Sequence, residues 1–208
     1  MRGLFIVFDG LDGAGKGTAL RGARSFLIAK GIPEEKMLVT AEPTGGLHGK
    51  KLREMLSQQV NPEVNARQFL DLYIADRKEH TESEILPAIS AGKIILCDRY
   101  KYSTFVYQGL QGIPLEKIRG LHAGMPVPDI TFILDLPAET ALERISRRKR
   151  REVFEEIGFM EKVRQGFLSL KRAIPEENIV VVDASRSIRD VRGEINATLE
   201  KLIATAGN

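Results

Sequence analysis

The stretch "LFIVFDGLDGAGKGT", Leu4 to Thr18, decides how the rest of the chain is interpreted. Its apolar start predicts a buried strand, and the glycines that follow predict a tight loop opening a helix that extends to about Lys30. Gly10, Gly15 and Lys16 fit the pattern G-x-x-x-x-G-K. Between a strand and a helix, this pattern indicates a loop whose backbone N–H groups and lysine bind nucleotide phosphates.

The whole loop is the expected nucleotide-binding segment: Gly10, Leu11, Asp12, Gly13, Ala14, Gly15, Lys16, Gly17 and Thr18. Gly17 stands where such loops usually carry a hydroxyl that coordinates Mg²⁺. We therefore expect no direct metal ligand from the protein, with Asp9 and Asp98 contacting the ion through water. The missing hydroxyl also argues against a switch GTPase.

Four later apolar runs of strand length alternate with helical patterns: Met37–Ala41, Ile94–Cys97, Ile130–Leu134 and Ile179–Val182. This alternation predicts one α/β domain over residues 1–208, with a mainly parallel sheet covered by helices on both faces. Ligands of such sheets bind outside the carboxyl ends of the strands. We therefore expect Asp9, Glu42 and Asp98 to face one cleft.

Composition excludes several other classes of protein. The 208 residues are 43% hydrophobic and 28% charged, and no apolar run reaches membrane-spanning length. A lone Cys97 permits no internal disulfide, which favours the cytoplasm. Arg147 to Arg151 are five consecutive basic residues, and this block alone exceeds the net charge of +3. The rest of the chain is slightly acidic, so we expect neither a nucleic-acid partner nor a membrane.

Three stretches indicate a second ligand site. They are "AEPTGGLHGKKLRE" from Ala41, "DLYIADRKEH" from Asp71 and "CDRYKYSTFVYQG" from Cys97. They bring aromatic rings, arginines and a glutamine to the expected cleft. Such residues suit a base that stacks, a phosphate that is clamped and base edges that are hydrogen-bonded.

Six motifs occur in the order in which the thymidylate kinases carry them: "DGLDGAGKGT", "EPTGG", "ADR", "DRYKYSTFVYQG", "LDLPAETALERI" and "VVVDAS". The sequence resembles this family of P-loop nucleoside monophosphate kinases from Arg2 to about Ile203. The resemblance implies a P-loop NTPase fold with a five-stranded parallel sheet, a short basic lid at about residues 147–156, and a homodimer. It also implies transfer of the γ-phosphoryl group of ATP to dTMP, giving dTDP and ADP, with Mg²⁺.

The resemblance assigns roles to individual residues. Lys16 would contact the donor phosphates, Asp12 the sugar and phosphate of the acceptor, and Arg99 would clamp that phosphate. Four further residues would surround the thymine base. Tyr73 would stack on it, and Arg77, Thr104 and Gln108 would make polar contacts with it. Tyr100 would lie by the sugar, and Arg53 and Asp98 would complete the dTMP site.

The basic block falls after the "LDLPAETALERI" helix, where the lid of the family lies. A transferring phosphoryl group spreads negative charge over three oxygens, and catalysis is mostly positioning and electrostatics. We expect a lid arginine, Arg147 or Arg151, to supply positive charge there. Ala41 replaces an arginine that many family members carry on the acceptor side.

Two other functions stay open at this point. A kinase for another acceptor, such as AMP or a deoxypyrimidine analogue, would keep the same loop. A P-loop regulatory or nucleic-acid-binding ATPase would use the basic block on phosphate backbones. We expect His48, His80 and His122 to be surface or helix residues rather than general bases, because an ionised phosphate acceptor needs none.

Overall fold

The computed structural model describes residues 3–58, 65–146 and 157–206. Five parallel strands form one sheet flanked by helices. The strands are β1 (Leu4–Gly10), β2 (Met37–Ala41), β3 (Ile94–Asp98), β4 (Ile130–Asp135) and β5 (Ile179–Asp183). The sequence prediction of an α/β fold with five parallel strands is confirmed, and all strands except β2 extend slightly past the predicted ends.

The helices of the described residues are α1 (Lys16–Ala29), α2 (Leu47–Ser57), α3 (Ala66–His80), α4 (Leu86–Ser90), α5 (Lys101–Leu110), α6 (Leu115–Leu121), α7 (Ala138–Ser146), α8 (Ile157–Ala173) and α9 (Ile188–Ala206). A π-helical turn, Thr81–Ile85, joins α3 to α4, and a 3-10 turn, Glu34–Lys36, precedes β2. None of these helices combines the length and the apolar character that crossing a membrane requires.

Strand β1 lies at the centre of the sheet, whose order is β2-β3-β1-β4-β5. All seven of its residues are buried, because helices cover both faces of a parallel sheet and leave no solvent side. Phe8 of β1 stacks on Phe132 of β4 with ring centroids 5.4 Å apart. Edge strand β2 is different, since Val39 on it is exposed.

The carboxyl ends of three strands meet at one edge of the sheet. Asp98 pairs in register with Phe8 of β1 and with Ala41 of β2. Past these pairs, Arg99 N donates to Phe8 O (2.9 Å) and Glu42 N donates to Asp98 O (3.0 Å). Strands β3 and β2 lie on one side of β1, and β4 and β5 lie on the other. Ligands of open α/β sheets bind at the carboxyl ends of the strands where the strand order changes direction in this way.

Helices α2 and α3 pack against each other beside this edge. Their shared apolar cluster is separate from the main core and consists of Leu52, Met55, Leu56 and Phe69, with Leu72 and Tyr73 packed on it. This pair of helices forms one wall of the site described below.

Candidate active site

The glycine loop leads from β1 into α1 along a backbone path that needs glycine. Gly13 and Gly15 have φ angles of 84° and 95°, in the left-handed region that other residues rarely adopt. Helix α1 begins at Lys16, and Gly15 offers no side chain to cap it. The first N–H groups of α1 therefore lack intrahelical acceptors and form an anion-binding end.

Lys16 folds back over this loop. Its side chain is buried, and Nζ donates hydrogen bonds to the carbonyl oxygens of Gly10 (3.1 Å) and Leu11 (2.8 Å). The Asp12 carboxylate lies 3.7 Å from Nζ. Burial and the charge of Arg99 lower the pKa of Lys16. The ammonium group is thus held at the level of the loop backbone, within reach of phosphate oxygens bound there.

Arg99 joins the end of β3 to the glycine loop. Its Nη2 donates to Asp12 Oδ1 at 2.5 Å and its Nη1 donates to Ser103 Oγ at 2.9 Å. Arg99 has a φ of 69°, a left-handed conformation that costs a side-chain-bearing residue about 1 kcal/mol. Such strain is tolerated where a side chain must be aimed in a particular direction.

Asp12 is strongly acidic in this arrangement. Burial alone would raise its pKa, but the charges of Arg99 and Lys16 outweigh that effect and lower the pKa to about 2. Asp12 therefore carries a negative charge throughout the neutral range, between two cations.

Asp9 is fully buried beneath this group. Its carboxylate accepts hydrogen bonds from the main-chain N–H groups of Gly10 (2.9 Å) and Ser103 (3.0 Å), and from the Ser103 hydroxyl (2.7 Å). Burial raises the pKa of Asp9, against the opposing charge of Arg99. Its oxygens are used to join the loop to the start of α5, so a metal-bound water would have to compete with these bonds.

A cavity of about 190 Å³ opens beside the Asp12–Arg99 pair. It is lined by eight of the nine residues that the sequence places in the acceptor site: Asp12, Arg53, Tyr73, Arg77, Arg99, Tyr100, Thr104 and Gln108. We call it the acceptor pocket. The ninth, Asp98, lies elsewhere, with its Oδ2 3.8 Å from the point where a Cβ at position 17 would stand. Glu42, which the strand-end argument places at the cleft, also lines the pocket.

Five further lining residues had no role assigned from the sequence: Pro43, Leu56, Phe69, Ser103 and Tyr107. Pro43, Ser103 and Tyr107 lie within the motifs quoted above, whereas Leu56 and Phe69 lie outside them. Leu56 and Phe69 belong to the apolar cluster between α2 and α3, and Tyr73 packs on that cluster. One wall of the acceptor pocket is therefore apolar and aromatic, as a planar base requires.

Arg77 lies at the base of the acceptor pocket and is almost fully buried. Its Nε donates to Glu42 Oε2 at 2.7 Å and its Nη2 lies 2.6 Å from the same oxygen. Its Nη1 donates to Thr104 Oγ1 (3.0 Å) and lies 2.6 Å from His122 Nε2. The guanidinium group also lies over the ring of Tyr100, 5.2 Å from its centroid.

Gln108 presents a polar atom to the same cavity. Its side chain is buried, and its Nε2 donates to Gln111 Oε1 at 3.4 Å. Gln108 Oε1 has no hydrogen-bond partner among the residues that the structure describes. A buried amide oxygen without a partner loses free energy, so this atom is suited to accept a hydrogen bond from a ligand.

Tyr100 and Tyr107 occupy different places. The Tyr100 ring packs edge-on against Phe5, and its hydroxyl donates to Pro126 O at 3.2 Å. It supports Arg77 from below. Tyr107 comes later, on α5, where burial and the nearby charge of Asp12 raise the pKa of its phenol. Tyr107 is therefore the tyrosine beside the charged side of the acceptor pocket.

Arg53 reaches the acceptor pocket from α2. Its guanidinium group donates hydrogen bonds to the carbonyl oxygens of Pro43 and Thr44, the two residues that follow Glu42. Ala41, which replaces an arginine common in the resembling family, is an exposed residue at the end of β2. Arg53 is thus the arginine that α2 brings to this side of the pocket.

A second cavity, of about 290 Å³, lies on the other side of the glycine loop. It is lined by Gly13, Ala14, Gly15, Thr18, Ala19, Leu134, Arg144, Ala184, Arg186, Ile188, Val191 and Arg192. Four of the nine loop residues expected to bind the nucleotide line this cavity, namely Gly13, Ala14, Gly15 and Thr18. The three arginines were not expected. Arg144 Nη1 donates to Gly13 O at 3.4 Å, so this cavity joins the loop to α7 and α9.

Two expected catalytic residues, Arg147 and Arg151, lie outside the described residues, as does the whole lid at 147–156. The histidine expectation needs correction at one position. His122 is buried beside Arg77 and follows the end of α6, so it is neither a surface residue nor a residue within a helix. Cys97 is a buried thiol.

Comparisons with known proteins agree with these motifs. The family model described as thymidylate kinase matches residues 8–195. A thymidylate kinase of Desulfotalea psychrophila is 37% identical over 206 residues, covering 98% of each chain. A thymidylate kinase of Lactobacillus helveticus is 37% identical over 209 residues, covering 97% of each chain. A thymidylate kinase of Pseudomonas fluorescens is 37% identical over 212 residues, covering 99% of each chain.

Proposed function

The chain belongs to the thymidylate kinase family, and from this premise we propose that it transfers the γ-phosphoryl group of ATP to dTMP through the residues described above. The family makes it a nucleoside monophosphate kinase with ATP as co-substrate. One observation supports the proposal most directly. The acceptor pocket and the glycine loop share Asp12, which lies 3.7 Å from Lys16 Nζ and 2.5 Å from Arg99 Nη2, so two phosphorylated ligands would meet there.

The polar groups of the acceptor pocket match a thymine edge. Arg77 can only donate hydrogen bonds, and Gln108 Oε1 can only accept them. Thymine offers a carbonyl acceptor at O4 and an N–H donor at N3, whereas cytosine offers the reverse at these positions. Tyr73 and Phe69 would pack against the base, with Leu56 nearby for the methyl group.

We assign the sugar side of the acceptor to Tyr107 and not to Tyr100, which the resemblance placed there. The Tyr107 ring lines the pocket, and its phenol is close enough to Asp12 for the carboxylate charge to raise its pKa. Tyr100 supports Arg77, and its hydroxyl is bonded to Pro126. A ring at Tyr107 would leave little room for a 2′-hydroxyl.

The transfer itself needs positioning and positive charge. The acceptor phosphate is ionised at neutral pH, so no general base is required. Arg99 would hold that phosphate, and Lys16 with the first N–H groups of α1 would hold the donor phosphates. These groups are held in place by the fold before reaction, so they can stabilise the transition state without reorganising. An arginine from the lid, Arg147 or Arg151, remains a prediction.

Asp98 is suited to act on a hydrated Mg²⁺. Its Oδ1 is buried without a hydrogen-bond partner among the described residues, and its Oδ2 lies next to Gly17. No three carboxylate, histidine or cysteine side chains gather for direct coordination within residues 3–58, 65–146 and 157–206. We propose that Asp98 would hold the ion through water, because Mg²⁺ commonly keeps several waters. When bound, Mg²⁺ would neutralise charge on the donor phosphates.

Two further proposals come from the sequence. We propose that the protein is a homodimer, as the resemblance to the family implies, and that it acts in the cytoplasm, because its lone Cys97 permits no internal disulfide. Light scattering after size exclusion tests the first. It should give twice the chain mass of 23.2 kDa, and the mass of one chain would contradict it.

The reaction is tested by ADP release with ATP and Mg²⁺ across a panel of monophosphates: dTMP, dUMP, dCMP, AMP and dGMP. We expect dTMP to give the highest kcat/KM. Fastest turnover with AMP or dCMP would replace this proposal with another monophosphate kinase. ATP hydrolysis that responds to DNA and not to any monophosphate would favour the ATPase alternative.

A further inference from the structure

Arg77, which belongs to α3, is held by residues from three other segments of the chain. Glu42 follows β2, Thr104 lies on α5, and His122 follows α6. Glu42 is in turn fixed by His80, whose Nδ1 lies 3.0 Å from Glu42 Oε1. All of these side chains are buried. The guanidinium orientation is therefore set by the surrounding protein.

Most of the N–H donors of Arg77 already face an acceptor within the protein. A guanidinium group has five N–H bonds. Nε and one N–H of Nη2 face Glu42 Oε2. The two N–H bonds of Nη1 face Thr104 Oγ1 and His122 Nε2. Among the described residues, this leaves the second N–H of Nη2 as the donor available to a ligand in the acceptor pocket.

The contacts of His122 determine its tautomer. Nδ1 lies 2.7 Å from Ile118 O, and a carbonyl oxygen only accepts hydrogen bonds, so Nδ1 carries the proton. Nε2 lies 2.6 Å from Arg77 Nη1, which only donates, so Nε2 is unprotonated and accepts. The imidazole packs edge-on against Phe105 at 5.3 Å between centroids. His122 is thus a rigid, neutral hydrogen-bond acceptor aimed at Arg77.

We propose that His122 is a positioning residue for base recognition. By accepting the hydrogen bond from Nη1, it fixes the plane of the Arg77 guanidinium group so that the remaining Nη2 N–H faces a base carbonyl. His122 makes no contact with the substrate in this proposal. The inference rests on the proposed function, because it takes Arg77 as the residue that contacts the base.

Without the acceptor at Nε2, one N–H of Nη1 would be buried without a partner. A buried donor of this kind is costly, and the guanidinium group would rotate to find another acceptor. The direction of the Nη2 N–H would then be less well defined. The expected effect is on pyrimidine binding and on the preference for dTMP over dCMP, because the amino group of cytosine cannot accept from Arg77.

Two amide substitutions separate the contacts of His122. In His122→Gln the terminal amide reaches the position of Nε2 and can accept from Arg77, but it does not reach Ile118. In His122→Asn the shorter amide reaches the position of Nδ1 and can donate to Ile118 O, but it leaves Arg77 without an acceptor. Both variants remove the ring and both place an amide in the same cavity, so a general loss of packing affects both.

We expect KM for dTMP to rise about tenfold in His122→Asn, with KM for ATP unchanged within about twofold. The ratio of kcat/KM for dTMP to that for dCMP should fall by a similar factor. His122→Gln should recover most of both quantities. Equal values of KM for dTMP in the two variants would overturn the proposal, as would a rise in KM for ATP as large as that for dTMP.

A measurement on the unmodified protein covers the case in which a variant does not fold. Two-bond ¹H–¹⁵N correlation spectra report the tautomer of each histidine, and the ¹⁵N signals of His122 should show protonated Nδ1 and unprotonated Nε2. A protonated Nε2 would overturn the inference. Absence of dTMP phosphorylation by the unmodified protein would instead refute the proposed function, so the two failures are distinguishable.

Discussion

Arg99 and Asp12 form an ion pair, with Nη2 and Oδ1 2.5 Å apart, across the boundary between the acceptor pocket and the glycine loop. One residue follows β3 and the other lies in the loop that follows β1. The pair therefore fixes the relative position of the two expected ligand sites.

Asp12→Asn tests this pair. The amide keeps the shape of the carboxylate but removes the charge that orients Arg99, so the phosphate clamp should be less well positioned. We expect kcat/KM for dTMP to fall by about 10–100-fold, since misplacement of a positioning group by about 1 Å has effects of this size. Steady-state kinetics at saturating ATP measure it. An unchanged kcat/KM would show that Arg99 needs no partner at position 12.

Lys16→Ala tests the donor side. Lys16 Nζ donates to two loop carbonyls and lies 3.7 Å from the Asp12 carboxylate. All of these partners belong to the glycine loop, so loss of Lys16 should disturb the rest of the fold little and binding of the donor phosphates strongly. We expect kcat to fall by about 10²–10³-fold, as on removal of one preorganised donor from other active sites. Circular dichroism should give an unchanged spectrum. Retention of the full rate would contradict the role given to Lys16.

Gly13→Ala and Gly17→Ala form a matched pair for stability. A Cβ at position 13 would lie 2.5 Å from Ala141 O, at a φ of +84°, whereas a Cβ at position 17 would meet only side-chain atoms at 3.4 Å and beyond. We expect Gly13→Ala to lower the free energy of unfolding by about 2 kcal/mol or more. Gly17→Ala, within α1, should leave it within about 1 kcal/mol of the unmodified protein.

Urea denaturation measures both values. Equal losses of unfolding free energy at positions 13 and 17 would show that the left-handed conformation and the close approach to α7 are not what requires glycine in this loop.

Gln108→Ala tests recognition of the base edge. Removing the unpartnered Oε1 should raise KM for dTMP by about tenfold, because a base N–H would be buried without an acceptor. KM for ATP should change less than twofold. Gln165→Ala on α8 is the control, since Gln165 is exposed and bonds to Glu161. Equal effects of Gln108→Ala on both substrates would contradict the assignment.

His122 should make stability depend on pH. Burial and the charge of Arg77 lower its pKa to about 3, whereas an unfolded histidine has a pKa of about 6.5. The unfolded state therefore binds more protons below pH 6.5. The contribution of His122 to the free energy of unfolding is fully present above that pH and decreases as the pH falls. The decrease is at most about 1.4 kcal/mol per pH unit, or about 2 kcal/mol at pH 5.

Urea denaturation between pH 5 and pH 8 measures this slope. His122→Gln should remove this pH dependence of the free energy of unfolding. His48→Gln, at a partly exposed histidine of α2, should leave it in place. Parallel curves for the unmodified protein and His122→Gln would show that His122 is protonated as easily in the folded state as in the unfolded one.

Local sequence patterns predicted the frame of the site. The strand before Asp9 and the glycines up to Gly15 are recognisable because apolar runs and glycine spacing need no knowledge of distant contacts. The strand-end argument also predicted Glu42 at the cleft, because parallel strands end at the same edge of a sheet, and Glu42 lines the acceptor pocket. The other acceptor residues, such as Tyr73 and Arg77, were assigned by the resemblance to the family and not by a local pattern.

The rest depends on tertiary packing that no local pattern encodes. His122 sits in a short segment between α6 and β4 without periodicity, and its burial follows from the docking of α3 and α5 around Arg77. Tyr100 and Tyr107 belong to the same motif, yet the backbone turns one toward Pro126 and the core and places the other beside Asp12. Sequence spacing does not distinguish them.

The network around Arg77 has an evolutionary consequence. Four of the five N–H donors of Arg77 bind residues that are distant along the chain. Substitution of this arginine would therefore remove hydrogen bonds that hold the fold together as well as the contact with the base. Adaptation to a new nucleobase would therefore have to start at position 108, whose amide is bonded only to Gln111 among the described residues. Substrate range in this scaffold should diverge through that side of the pocket while the arginine is inherited unchanged.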